Sequence, residues 1–296
     1  MSDHPPAVAI IPYGQSVIGG IDRLPLDSLH WPLGRPDRLA SGTVAVMGPH
    51  DHLIAFPDKK LYLLPRGSRR AQLSLMIVEP DAIHGRHYTL LWFFRKRFFR
   101  ILTKNPKVLH SMPNAAKFVF GSTFVPEWRD IETEKTRHIS LIASDKRKLE
   151  GHALRHSIVD HSKALGLAID VMGRGYRPID RKSEGLASYR FTVVIENVRE
   201  PSYFTEKLVD AMLCRCIPIY WGAPDISDYF DPRGMIICDT EDQIIAALQN
   251  ANDQTYASML PYVEKNREAA AIYADFMKRA AQIVLHAATG INPTAS

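Results

Sequence analysis

Apolar and polar positions follow two different rhythms along this chain. In the second half, short apolar runs alternate with segments whose apolar residues recur every three or four positions. Residues 138–144 (HISLIAS) read as a strand, and residues 151–165 place Leu154, Ile158, His161 and Leu165 on one helical face. Residues 167–173 (LAIDVMG) read as the next strand, and Phe191–Ile195 and Ile217–Trp221 as two more. Between those last two, Thr205 offers a helix N-cap, and Leu208, Val209, Ala211, Met212 and Leu213 supply an apolar face. Residues 234–238 form a further strand and 240–249 a short helix. Strands separated by helices at this spacing predict a parallel, doubly wound α/β sheet. From Pro261, apolar positions 263, 270, 273, 277, 280 and 284 predict one long amphipathic helix with proline in its first turn.

The first half is less regular. Residues 7–12, 43–47, 61–65 and 73–78 are apolar runs bounded by Gly, Pro or Asp and read as buried strands. Residues 88–100 mix aromatics with Arg95, Lys96, Arg97 and Arg100 and predict a helix or a helix-to-strand passage. Strand-like residues follow at 99–102 and 117–120. The polar stretch 126–137 reads as a linker, which divides the chain into domains 1–135 and 136–296, the last helix lying in the second.

Composition is that of an ordinary globular protein, with 46% hydrophobic and 23% charged residues. A net charge of +5 suits a phosphate-bearing ligand but is too small and too spread to require nucleic acid. Three cysteines, Cys214, Cys216 and Cys238, make neither a disulfide framework nor a zinc set. They read as buried reduced thiols. No N-terminal signal peptide and no apolar run of about 20 residues is visible, so the expected location is the cytoplasm, with contact at the inner face of the membrane through residues 92–100. The competing reading of 92–100 is core aromatics beside a solvated basic turn.

The chemistry gathers at residues 189–222. Polar Glu196 and Asn197 end an apolar strand, and Glu206 and Lys207 open the following helix. Ligands of open α/β sheets bind at strand carboxyl ends, and helix N-termini attract phosphate. A lysine opposes the helix dipole there, so an anion is expected to compensate Lys207.

The run IENVREPSYFTEKLVDAMLCRCIPIYWG resembles the signature of the α-1,3-fucosyltransferase family. Upstream, Ala143–Lys146, Gly151–His156 and Ile169–Tyr176 match further landmarks of that family in order. The sequence departs from it at Asp145, Val198 and Arg215–Cys216, positions read as touching the donor side. The resemblance implies the GT-B architecture: α/β, two Rossmann-like domains facing a cleft, with a long C-terminal helix. It implies an inverting transferase moving L-fucose from GDP-fucose to a hydroxyl of a glycan acceptor, with no obligatory metal.

Residue roles follow from the same resemblance. Arg155 and Lys207 align with diphosphate-binding residues, and Glu206 with a carboxylate that holds the nucleotide ribose. Asn197, Tyr203 and Thr205 are candidate contacts to phosphate or sugar, and Glu196 is either such a contact or a strand-end acid. Gly173 and Arg174 start a GxG run, but Pro178 replaces the third glycine, so the loop is not a dinucleotide fingerprint and reads as nucleoside-facing. Glu79, at the end of a predicted strand, is the candidate general base, with Asp81 as its substitute.

Metal readings are weaker. His50–His52 and His84/His87 have ligand-like spacing but read as solvent-facing loop histidines, and Asp225, Asp228 and Asp231 as turn and cap residues. Two alternatives stay open: a GT-B transferase using another nucleotide sugar, and an inactive glycan- or nucleotide-binding module on the same fold.

Overall fold

The apolar runs of the first 120 residues build a five-stranded parallel sheet in the computed structural model, which describes residues 4–63, 65 and 67–290. Its strands β1 (Val8–Ile10), β2 (His52–Ala55), β3 (Gln72–Met76), β4 (Ile101–Thr103) and β5 (Ala115–Lys117) lie side by side in chain order. Helices α1 (Lys59–Leu63), α2 (Asp81–Phe94) and α3 (Pro106–Ser111) connect them. Asn105 caps α3, its Oδ1 accepting from Lys107 N and Val108 N.

Several expectations for this half change. Residues 43–47 are not a strand: Val44–Val46 form a 3₁₀ turn that buries Val44 and exposes Val46. Residues 61–63 belong to α1, where Tyr62 stacks on His87 and packs against Phe94 and Phe98, while Leu64 lies outside the described residues. Strand β2 was hidden by its polar start. Asp51 there is paired with Arg38 and accepts from Ala7 N and Gly48 N, so the carboxylate tolerates burial. The predicted strand at 99–102 forms as β4, two residues further on, and that at 117–120 ends at Lys117.

His52, His84 and His87 are buried in β2 and α2, not displayed on loops; only His50 is exposed. Their Nδ1 atoms have no hydrogen-bond partner among the described residues. Burial disfavours the charged imidazolium, and the His52 and His84 values fall to about 4.

The second unit carries the alternation expected of it. Strands β6 (Arg137–Ile142), β7 (Asp170–Met172), β8 (Tyr189–Ile195), β9 (Ile217–Trp221) and β10 (Ile236–Ile237) form a parallel sheet in the order β10-β9-β8-β6-β7. Helices α4 (Glu150–Ala164) and α6 (Glu241–Asn250) pack together against it, and α5 (Glu206–Leu213) packs with α7 (Asp253–Tyr273). β8 is apolar along almost its whole length because both of its faces are covered. The strand order reverses between β6 and β8, which makes their carboxyl ends the switch point of the sheet.

The compact units part at Val119 and Phe120, not at 135 and 136, and the chain returns to the first unit at Phe276. Segment 126–137 is embedded in the second unit and links nothing. Lys135 Nζ donates to the carbonyls of Ala187 (2.8 Å) and Cys214 (2.6 Å), and Glu127 accepts from Ser183 Oγ at 2.7 Å. The single long tail helix is two helices. α7 starts at Asp253, capped by Asn252, with Pro261 exposed inside it. After a turn at Ala274–Asp275, α8 (Phe276–Thr289) packs on β1 and β2 of the first unit, burying Ala280, Ala281 and Val284.

The departure at Arg215–Cys216 lies at the C-terminal end of α5. Arg215 adopts a left-handed backbone, φ 58°. Its guanidinium is held by Glu264 at 2.7 Å and Thr133 Oγ1 at 2.9 Å. Eight residues of helix put this turn about 12 Å from the N-terminus of α5.

The buried histidines set an acid limit. Between pH about 6.5 and about 4 the unfolded chain binds protons at His52 and His84 and the folded protein does not, so stability falls as pH drops through that window. Denaturant midpoints measured across it should fall with acid, and His52→Leu or His84→Leu should flatten the slope; two unchanged slopes would sink the assignment.

Candidate functional site

The switch point is assembled by close backbone approach. A Cβ added at Gly151 would lie 1.7 Å from the Glu196 carbonyl oxygen, and Gly151 N donates to Asn197 O at 3.0 Å. Only glycine lets the first turn of α4 sit against the end of β8. One turn further along, Arg155 reaches the same strand end. Its Nε and Nη2 donate to Ile195 O at 3.0 and 2.5 Å, and Nη2 donates to Asn197 Oδ1 at 3.0 Å. Arg155 as a whole is 6% exposed. Burial lowers the guanidinium pKa, against the favourable charges of Glu196 and Glu206, and the group stays cationic. Its Nη1 donates to none of the described residues.

Glu196 is fully buried and serves the protein itself. Its Oε1 accepts from Thr205 N at 2.8 Å and its Oε2 from Thr205 Oγ1 at 2.7 Å. Thr205 in turn caps α5, accepting from Lys207 N at 3.4 Å. Both Glu196 carboxylate oxygens and the Thr205 hydroxyl are thus hydrogen-bonded within the protein. Burial raises the Glu196 pKa, with Lys207 opposing.

Lys207 does not wait for a ligand to be neutralised. Its Nζ lies 3.2 Å from Glu206 Oε1 and 3.7 Å from Glu196 Oε2, and donates to Thr205 Oγ1 at 3.1 Å. Burial raises the Glu206 pKa, but Lys207 and Lys182 outweigh it and bring the carboxyl down to about 2. Glu206 is therefore ionised and able to accept from hydroxyls.

Lys182 escaped the sequence reading. It lies in the 3₁₀ turn Lys182–Gly185, with Nζ 2.8 Å from Asp210 Oδ2 and 3.8 Å from Glu206 Oε1. Asp210, fully buried, also accepts from Thr123 Oγ1 (2.6 Å) and Phe124 N (3.0 Å). The signal was present: Glu206 and Asp210 are like charges at i and i+4 on one helix face and call for a cation between them. His152, in the first turn of α4, was also missed as a site residue. Burial and then the charges of Arg155, Lys146 and Lys207 lower its pKa, while a hydrogen bond with Asn197 raises it. His152 thus reports three cations, Arg155, Lys146 and Lys207, converging on one sheet end.

The other expected residues are placed as follows. Tyr203 is buried near Arg155, and Asn197 spends its carbonyl oxygen on that guanidinium. Gly173 has φ 106° and would place a Cβ 2.2 Å from Ala143 O, so it lets the loop after β7 close on the end of β6. Arg174 beside it is exposed. Asp225 accepts from Ser202 N and Oγ, and Asp231 caps Arg233 and binds Lys265, the turn and cap roles expected of them. Cys214, Cys216 and Cys238 are buried and free. Glu79 belongs to the other unit, at the carboxyl end of β3, with Asp81 opening α2. The Tyr13 phenol, also in the first unit, has its pKa raised by partial burial and by the Glu79 charge.

Residues 132–288 match the family model described as glycosyltransferase family 10 (fucosyltransferase) C-term. The chain belongs to that family. An α-(1,3)-fucosyltransferase of Helicobacter pylori is 39% identical over 62 residues, 21% of this chain and 13% of that protein. An α-(1,3)-fucosyltransferase B of Drosophila melanogaster is 43% identical over 44 residues, 15% of this chain and 10% of its own length. The curated relatives are thus matched over about an eighth of their length or less. A crystal structure of an α1,3-fucosyltransferase with GDP-fucose superposes at TM-score 0.51 and 15% identity, covering 99% of this chain and 94% of that one. That likeness establishes the GT-B fold for this member of family 10.

The Lys182–Asp210 pair is the most exposed to mutation in this cluster. Lys182→Met should cost about 3–5 kcal/mol at neutral pH, because Asp210 stays buried without its cation. Burial already raises the Asp210 pKa, so acid protonates it and the deficit should shrink as pH falls. A deficit below about 1 kcal/mol, or one independent of pH, in denaturant titrations would mean the pair does not hold the site together.

Proposed function

We propose that this chain transfers L-fucose from GDP-fucose to a hydroxyl of a glycan acceptor, with inversion at the anomeric carbon. The observation that carries the reading is the cluster of Arg155, Lys207, Lys182 and Lys146 around the switch point of a family 10 chain. Leaving-group charge grows on the diphosphate as the sugar departs, and preorganised cations stabilise that charge. Arg155 is anchored through Nε and Nη2, which leaves Nη1 for a phosphate oxygen. Lys207 exchanges its contacts to Glu206 and Glu196 for the second phosphate. Glu206, held ionised, then accepts from the ribose diol, and Gly173–Arg174 border the nucleoside. Glu196 and Thr205 position Lys207 and do not contact the donor. The cations carry the charge stabilisation, so no metal is required. Glu79 takes the proton of the attacking hydroxyl.

Titration with GDP tests the donor assignment. Arg155→Ala and Lys207→Ala should each weaken GDP binding by about ten-fold or more, the scale of a charge-assisted phosphate contact. Unchanged affinity in both would remove the diphosphate from this site. Glu79→Gln should keep GDP affinity and lower turnover by about 10²-fold. Near-normal turnover moves the base elsewhere, and turnover abolished by EDTA would overturn the metal-independent reading.

A further inference from the structure

We propose that the outward face of α2 and the turn after it dock this chain on an anionic lipid surface. Helix α2 buries His84, His87 and Leu91 on one side. On the opposite side Arg86, Thr89 and Phe93 form an exposed stripe that continues into Lys96. Phe93 is 80% exposed and its neighbour Trp92 49% exposed, while Phe94 and Phe98 turn inward against Tyr62. Helix α1 packs beside α2 and exposes Lys59, Lys60 and Leu63. The aromatics of 92–100 therefore divide between core and surface.

Charge along the chain is distributed to match. From residue 82 to residue 126 there are eight Lys or Arg and no Asp or Glu. The first unit holds 18 Lys/Arg against 8 Asp/Glu, net +10; the second holds 19 against 24, net −5. The modest charge of the whole chain hides this asymmetry. Large aromatics flanked by cations partition into the headgroup region, with the rings at the acyl boundary and the cations on anionic headgroups. A soluble polyanion satisfies the cations but leaves Trp92 and Phe93 in water, which favours lipid. No helix among the described residues is long and apolar enough to cross a membrane, so the contact is peripheral.

Sedimentation of the full chain with vesicles is the test. Phosphatidylcholine vesicles containing phosphatidylglycerol should bind it, pure phosphatidylcholine vesicles much less, and salt should weaken the binding. Trp92→Ser with Phe93→Ser should lower partitioning about ten-fold, and Arg86→Glu with Lys96→Glu at least as much, at roughly five-fold per cation removed. All four side chains are exposed, so thermal unfolding should be unchanged in these variants. Should either variant unfold, brominated lipid must still quench wild-type tryptophan fluorescence, and quench it less in Trp92→Phe. Equal binding to both vesicle types, or no loss in either double variant, overturns the proposal. Loss only in the charge variant, with heparin bound as tightly by Trp92→Ser/Phe93→Ser as by wild type, assigns the face to a polyanion instead.

Discussion

One buried carboxylate joins the two elements that matter most. Glu196, at the end of β8, receives both the backbone N–H and the hydroxyl of Thr205, which is the N-cap of α5. A carboxylate without exposure is costly unless it is fully hydrogen-bonded and balanced by a cation, and Lys207 supplies that cation. Strand end, helix start and lysine therefore settle together. On the other side of the strand, Gly151 lets α4 press against the Glu196 carbonyl and delivers Arg155 to the same point. The placement of Arg155 and Lys207 depends on this junction.

The junction also explains how so many basic groups coexist. Cations and acids alternate through it: Arg155 near Glu196, Lys207 between Glu196 and Glu206, Lys182 between Glu206 and Asp210. Each acid in the series has a cation beside it. An anion entering such a site replaces existing partners of Lys207 and gains less than it would from a bare lysine. What it gains instead is geometry, because the groups are already in place.

The second unit was largely legible because its signals are local. Parallel strands covered on both faces need continuous apolar runs, and Phe191–Ile195 and Ile217–Trp221 have them. Thr205 announces the start of α5, and the order Glu196, Asn197, Glu206, Lys207 shows where polar chemistry collects. The first unit was harder to read. Its strands are only three to five residues long, and β2 begins with His52 beside Asp51. Its α1 carries Leu61 and Tyr62 in a run too short to separate helix from strand. The chain's return to the first unit through α8 has no local signal, since an apolar helix face does not say which sheet it will cover.

The sequence by itself determined the doubly wound second sheet and the junction of β8 with α5, while Arg155 and Lys207 were singled out by resemblance to a family. The sheet and the junction rest on periodicity, capping and residue order, which act between neighbours in the chain. Only the tertiary structure decided what those residues do to one another. It gave Lys207 two carboxylates as partners, bonded Glu196 to the cap of α5, brought Lys182 to Asp210, and buried His52 and His84. Those outcomes depend on burial and on Coulomb interactions between residues tens of positions apart, and neither is written in the spacing of a linear chain.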